Sequence, residues 1–284
     1  MTAQVLDGRA LSRSLNKALK ARVEQRLDEA GRPPGLAVVL VGEDPASEVY
    51  VRRKGVVAGR IGFHHVQHNL DASVSQATVE ELVRALNDDP AIDGILVQMP
   101  LPKHLDARAI LETVQPSKDV DGFTMMNTGR LGQGVPGHVA CKPRGVMHLL
   151  ELSGVNPEGR EAVVVGRSNI VGRPMAMLLE QANATVTVCH SRTKDLEHHV
   201  RRAEILVAAV GRPEMVRGEW IRPDAVVLDV GINRLADGRL VGDVATAEAA
   251  KAAAWVTPVP GGVGPMTIAM LMQNTFDAWC LHTT

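Results

Sequence analysis

Tyr50 and Lys54 are spaced four residues apart in a stretch with helical character, which puts both on one helix face. A phenol beside an ammonium can orient it. In a partly apolar cleft, desolvation lowers a lysine's pKa towards the range useful for proton transfer. The adjacent Arg52 and Arg53 leave a second reading open, in which this is simply a solvated basic face. Gln98 closes the largely apolar run at 92–98, at the carboxyl end where α/β sheets bind ligands, although a capping or turn role fits it as well. Asp121 lies in the turn Lys118-Asp119-Val120-Asp121-Gly122. It is either a turn residue or a carboxylate able to accept two parallel N–H donors from a planar heterocycle.

A second constellation lies further along. Residues 161–174 read EAVVVGRSNIVGRP: an apolar run, a polar turn carrying Gly166, Arg167, Ser168 and Gly172, then a helical pattern through Met175, Leu178 and Leu179. Strand, glycine-containing turn and helix start is the recipe for holding a phosphate on backbone N–H groups. The spacing Gly166-x-Ser168-x-x-x-Gly172 departs from G-x-G-x-x-G, so a turn kept for packing alone also fits it. The next strand-like run, 185–189, ends in His190-Ser191-Arg192-Thr193. In a dinucleotide fold an acid at that point selects NAD by accepting from the ribose 2′-hydroxyl. Here a hydroxyl and a guanidinium stand instead, which suits a 2′-phosphate, with Arg167 as a second cation. NADP is the expected cofactor. The run Pro258-Val259-Pro260-Gly261-Gly262-Val263-Gly264-Pro265 offers backbone N–H groups and close approach, or serves only as a connection.

These residues need elements to position them. The sequence predicts a helix over 7–30 with Asp7 as N-cap, strands at 36–41, 63–70 and 92–98, and helices at 46–60, 75–87 and 106–114. Strands alternating with helices imply βαβ units and a parallel sheet. Residues 115–140 read as loop-rich, with the domain boundary near their end. A helix at 143–153 leads into the dinucleotide unit, which continues with strands at 205–210, 225–230 and 254–257. A closing helix at 266–280 is expected to pack back on the first domain. The fold class is α/β with two domains and a cleft between them, the usual place for a substrate.

Composition narrows the function. The 284 residues carry a net charge of −1 and only one tyrosine, so the core is aliphatic and neither nucleic acid nor an anionic membrane is the expected partner. No apolar run approaches the roughly 18 residues of a membrane span, and no signal-peptide pattern opens the chain. The three cysteines, Cys141, Cys189 and Cys280, are far apart, which fits a reducing cytoplasm. The adjacent pairs His64-His65 and His198-His199 cannot converge on one ion, and no metal is expected.

Taken together, Tyr50-Val51-x-x-Lys54, Gln98-x-Pro100-Leu101-Pro102, Lys118-Asp119-x-Asp121-Gly122, the turn at 166–174, Cys189-His190-Ser191-Arg192-Thr193 and residues 257–267 are similar to the bifunctional methylenetetrahydrofolate dehydrogenase/methenyltetrahydrofolate cyclohydrolase family, end to end. The resemblance implies an N-terminal folate-side domain at 1–140, a Rossmann-like NADP-binding domain at 141–265, and a C-terminal helix at 266–284. It implies NADP-dependent oxidation of 5,10-methylenetetrahydrofolate, then hydrolysis of the methenyl product to 10-formyltetrahydrofolate, in a cytoplasmic homodimer. Lys54 matches the catalytic lysine. Tyr50 and Gln98 match the residues that orient it and the folate, and Asp121 the one that holds the pterin. Gly262 and Pro265 are implied on the substrate side, and Gly166, Arg167, Ser168, Ser191 and Ile232 at the cofactor. One departure is Ala140-Cys141-Lys142-Pro143, where the family pattern reads Pro-Cys-Thr-Pro. A cation there leaves open a dehydrogenase with weak cyclohydrolase activity. The other rivals are a non-catalytic NADP-binding protein, which has no use for a proton relay, and a shikimate-type dehydrogenase, which has no use for the folate-side segments.

Overall fold

The computed structural model describes residues 2–284, the side chains of residues 45 and 46 excepted. In chain order the elements are β1 Gln4–Val5, α1 Gly8–Ala30, β2 Gly35–Val41, α2 Pro45–Arg60, β3 His64–Leu70, α3 Gln76–Asp88, β4 Gly94–Val97, α4 Ala107–Thr113, α5 Met125–Gly132 and α6 Cys141–Leu152. They continue with β5 Glu161–Val165, α7 Gly172–Gln181, β6 Thr185–Cys189, α8 Leu196–Arg202, β7 Ile205–Ala208, β8 Val226–Asp229, β9 Asn233–Arg234, β10 Leu240–Val241, α9 Thr246–Ala249, β11 Trp255–Val256 and α10 Val263–His282.

The chain forms two compact units, one of Met1–Arg13 with Lys142–Met270, the other of Ser14–Cys141 with Leu271–Thr284. The second unit is built on a three-stranded parallel sheet in the order β3-β2-β4. β2, GLAVVLV, is buried along its whole length, as a central parallel strand covered on both faces must be. Helix α3 explains itself from sequence. Ser75 accepts from Thr78 N at its start, and Val79, Val83 and Leu86 place three apolar side chains on one stripe over the sheet. Residues 118–120 extend the sheet beyond β4, with Ile95 paired to Asp119 in parallel and Ile95 N donating to Lys118 O.

The first unit carries a six-stranded parallel sheet in the order β1-β11-β8-β7-β5-β6. The chain leaves β5 for β6 on one side and returns to β7 on the other. The loops after β5 and β7 therefore diverge and open a crevice at the carboxyl edge, the topological switch point of a doubly wound fold. Its core is aliphatic, with Val163, Val165, Leu206, Ala208, Val227 and Val256 buried together.

Some expectations need correction. Residues 115–140 are not all loop: α5 lies there, its start capped by the Thr124 side chain accepting from Asn127 N. Also unforeseen are the antiparallel pair β9 and β10, the strand β1, which pairs with β11, and the short helices α8 and α9. Among the described residues no helix is long and apolar enough to cross a membrane.

Candidate active site

Lys54, on α2, is 4% exposed, and its Nζ donates to Gln98 Oε1 at 2.9 Å. Gln98 directly follows β4, so a helix residue and a strand-end residue meet at the carboxyl edge of the sheet. The amide is itself oriented, because Gln98 Nε2 donates to Met99 O at 2.6 Å. Nζ also stands 5.0 Å from the centroid of the Tyr50 ring, within cation–π range. The i,i+4 spacing thus does what the sequence suggested, and the basic-face reading holds only for Arg52 and Arg53, which are exposed.

Asp121 is half-buried in the turn that follows the added 118–120 strand. Its neighbours in the motif are fasteners. Lys118 Nζ donates to Leu86 O at 3.1 Å and Asp89 O at 2.8 Å, and burial lowers its pKa. Asp119, 4% exposed, accepts from Gly122 N, Phe123 N, Thr124 N and Oγ1, and Asn127 Nδ2. From α10, Asn274 Nδ2 donates to Val120 O at 2.7 Å and Val139 O at 3.0 Å. These bonds fix the backbone on both sides of Asp121.

In the other unit, the candidate cofactor residues line the carboxyl edge of neighbouring strands. Gly166 follows β5 with φ +127°, and a Cβ there would overlap Ala209 O, so no other residue fits without moving the loop after β7. Arg167 and Ser168 are exposed, and α7 begins at Gly172 with no side-chain hydrogen bond from its N-cap residue Val171. Ser168 covers part of this helix start, with Gly172 N donating to its Oγ at 3.4 Å and Arg173 N to its O at 3.1 Å; a glycine-containing turn ahead of a helix suits a phosphate. After β6, the turn at 190–193 is tied by His190 N to Thr193 Oγ1, Thr193 N to His190 O, and Arg192 N to His190 Nδ1. It leaves Ser191 and Arg192 exposed. Ile232, after β8, is 53% exposed. These groups fit a phosphorylated dinucleotide.

Gly262 and Pro265 lie at the start of α10, Pro265 in its first turn. The loop at 258–262 is braced by the beginning of α1. Arg9 N donates to Gly261 O, and a Cβ on Gly8 would overlap Gly262 O. Lys142 is half-buried at the start of α6.

Sequence reasoning missed a set of polar fasteners, the buried Asn274, Asp229 and Asp243 and the half-buried Asn233, and gave Lys118 and Asp119 no role beyond their motif. Desolvation pushes the Asp229 carboxyl up to about 6, against the opposing pull of backbone N–H groups from Val244, Asp243 and Gly231. Burial likewise pushes the Cys189 thiol up. Among the described residues no cluster of three or more His, Cys, Asp or Glu is arranged to hold a metal ion.

The chain was compared with known proteins. Residues 6–121 match the family described as tetrahydrofolate dehydrogenase/cyclohydrolase, catalytic domain, and residues 140–283 its NAD(P)-binding domain. A protein of Dechloromonas aromatica named bifunctional protein FolD is 57% identical over 98% of both chains. The crystal structure of the bifunctional FolD dehydrogenase/cyclohydrolase of Campylobacter jejuni shares 44% identity at a TM-score of 0.96, covering 98% of this chain and 99% of that one. The Trypanosoma brucei FolD structure, complexed with NADP cofactor and inhibitor, shares 42% identity at a TM-score of 0.96, covering 99% and 98%.

Proposed function

Because this chain belongs to the tetrahydrofolate dehydrogenase/cyclohydrolase family, we propose that Lys54, held by Gln98 and beside Tyr50, is the proton relay of the hydrolytic one of its two reactions. The enzyme oxidises 5,10-methylenetetrahydrofolate with NADP⁺ and hydrolyses the 5,10-methenyl product to 10-formyltetrahydrofolate. The observation that carries the residue assignment is the buried Lys54 amine held at 2.9 Å by an amide at the end of β4.

The two steps ask different things of the protein. NADP⁺ supplies a hydride acceptor. Loss of hydride leaves the methylene carbon as a cation shared between its two flanking nitrogens, so this step calls for positioning more than for an acid or base. Asp121 suits the pterin: its carboxylate can take two parallel N–H donors, and its backbone is held by the fasteners around it. Gly262 and Pro265 complete the substrate contacts. Gly166, Arg167, Ser168, Ser191, Arg192 and Ile232 would hold the cofactor, and the exposed Arg167 and Arg192 would supply the positive charge for its 2′-phosphate.

Hydrolysis needs proton traffic. Water adds to the methenyl carbon and loses a proton to Lys54. The bond from that carbon to N5 then breaks as a proton returns to N5 and the new hydroxyl releases its remaining proton to solvent, leaving the formyl C=O on N10. A homodimer in the cytoplasm completes the reading, on the family resemblance alone; light scattering in solution tests the dimer. The activity is tested by supplying methylenetetrahydrofolate with NADP⁺ and, separately, the methenyl compound without cofactor. NADPH formation in the first assay and hydrolysis in the second are both expected, and absence of either defeats the bifunctional reading.

A further inference from the structure

We propose that Asp243 is a positioning residue for the oxidation step, its carboxylate fastening together the loops that present the cofactor-binding edge. The inference rests on the assignment of that edge to NADP. Asp243 is 0% exposed and outside every motif singled out in the sequence. Its Oδ2 accepts from Val210 N at 2.6 Å and Gly211 N at 2.9 Å, and its Oδ1 from Arg212 N and Asn233 Nδ2, both at 2.9 Å. Four donors on two oxygens use the lone pairs of an ionised carboxylate in full. Three successive backbone N–H groups converging on one anion form a nest, filled here by the protein's own side chain.

The placement gives this clamp a role beyond stability. Residues 210–212 follow β7, and Asn233 lies one residue past Ile232, at the start of β9. On the other side of Ile232, Gly231 N donates to Asp229 Oδ1 at 2.9 Å, and Gly231 packs so closely on Asp243 that a Cβ would overlap its carboxyl group. Ile232 is therefore an exposed residue whose backbone is tied at both neighbours. The residue just before the clamped amides, Ala209, is the one whose carbonyl Gly166 abuts, so the position of the turn after β5 depends on the same anchor. Asp229 in turn accepts from Asp243 N at 3.0 Å and Val244 N at 2.8 Å, holding the anchor itself in place. One carboxylate thus sets the relative heights of three strand-end loops.

Asp243→Asn turns one acceptor into an N–H₂ facing backbone donors while keeping the side chain's size. Asn233→Ala removes a single tether from a half-buried position and serves if the first variant does not fold. Both are tested in the full-length enzyme by the KM for NADP⁺ and kcat of oxidation, by cofactor-free hydrolysis of the methenyl compound, and by thermal unfolding. The KM for NADP⁺ should rise about tenfold or more in Asp243→Asn and about threefold in Asn233→Ala, in line with the loss of charge-assisted hydrogen bonds. Hydrolysis should stay within about twofold of wild type, because Lys54 and Gln98 are untouched. An unchanged KM in a folded variant, or hydrolysis falling in parallel with oxidation, overturns the proposal. A wild-type enzyme that does not saturate with NADP⁺ would instead defeat the cofactor assignment beneath it.

Discussion

Gln98 Oε1 accepts from Lys54 Nζ at 2.9 Å across 44 residues of sequence, and Gln98 Nε2 spends its own donor on Met99 O. The amine is carried by α2, yet its position is set by the end of β4. Gln98→Ala should therefore lower kcat of the hydrolytic step by roughly 10- to 100-fold, the scale of a lost hydrogen bond to a charged group. Gln98→Glu should not rescue it, since a carboxylate holds the amine in its charged form. The check is cofactor-free methenyl hydrolysis; full activity in Gln98→Ala would break the link between strand end and relay.

Arg192 is exposed in a turn that three hydrogen bonds hold in shape and whose residues 190–193 include no acid. Arg192→Ala should reduce the preference for NADP⁺ over NAD⁺ by about tenfold or more, mainly through KM. Measured kcat/KM ratios for the two cofactors decide it. An unchanged preference means that the 2′-phosphate lies elsewhere.

Asp119 shows how much of the folate-side turn depends on a residue with no part in the chemistry. Asp119→Ala leaves buried donors from Gly122, Thr124 and Asn127 without their acceptor. A cost of roughly 3 kcal/mol or more follows. Chemical denaturation measures it, and a loss below about 1 kcal/mol would show that the turn holds itself.

Asp229 supplies a pH dependence. Its carboxyl titrates at about 6 in the folded protein against an ordinary 3.8, so between those values the native state binds a proton that the unfolded chain does not. Stability from this group is fully present below the unfolded value and is lost as pH rises through about 6; the full excursion is worth roughly 3 kcal/mol. The unfolding free energy of wild type minus that of Asp229→Asn should therefore fall between pH 4 and pH 7. A flat difference would show that the carboxyl is ionised throughout.

Legibility from sequence differed between elements for physical reasons. Where a local signal and the packing agree, as in Ser75 capping a stripe of Val79, Val83 and Leu86, the element could be read directly. α5 hid behind Gly129, Gly132 and Gly134, whose turn signal outweighed a helix held by the Thr124 cap and the buried Leu131. β1 is two residues long and exists because β11 lies beside it, which no local pattern reveals. In the site, Tyr50 and Lys54 share a helix and were visible as a pair; their partner Gln98 comes from another element and was visible only as a polar strand end. The motif Lys118-Asp119-Val120-Asp121 offers two acids, and structure shows one of them, Asp119, taken up by donors of its own turn and by Asn127. Asp243 carries no local signal, since its donors come from segments up to 33 residues away.

The most direct test of Lys54 as the relay follows methenyl absorbance after wild type or Lys54→Met is mixed with methylenetetrahydrofolate and NADP⁺. Wild type should show a rise and then a decay. The variant, folded and still forming NADPH, should show a rise that persists, with hydrolysis slowed at least about 100-fold. Decay at a near-normal rate in the folded variant would contradict the account.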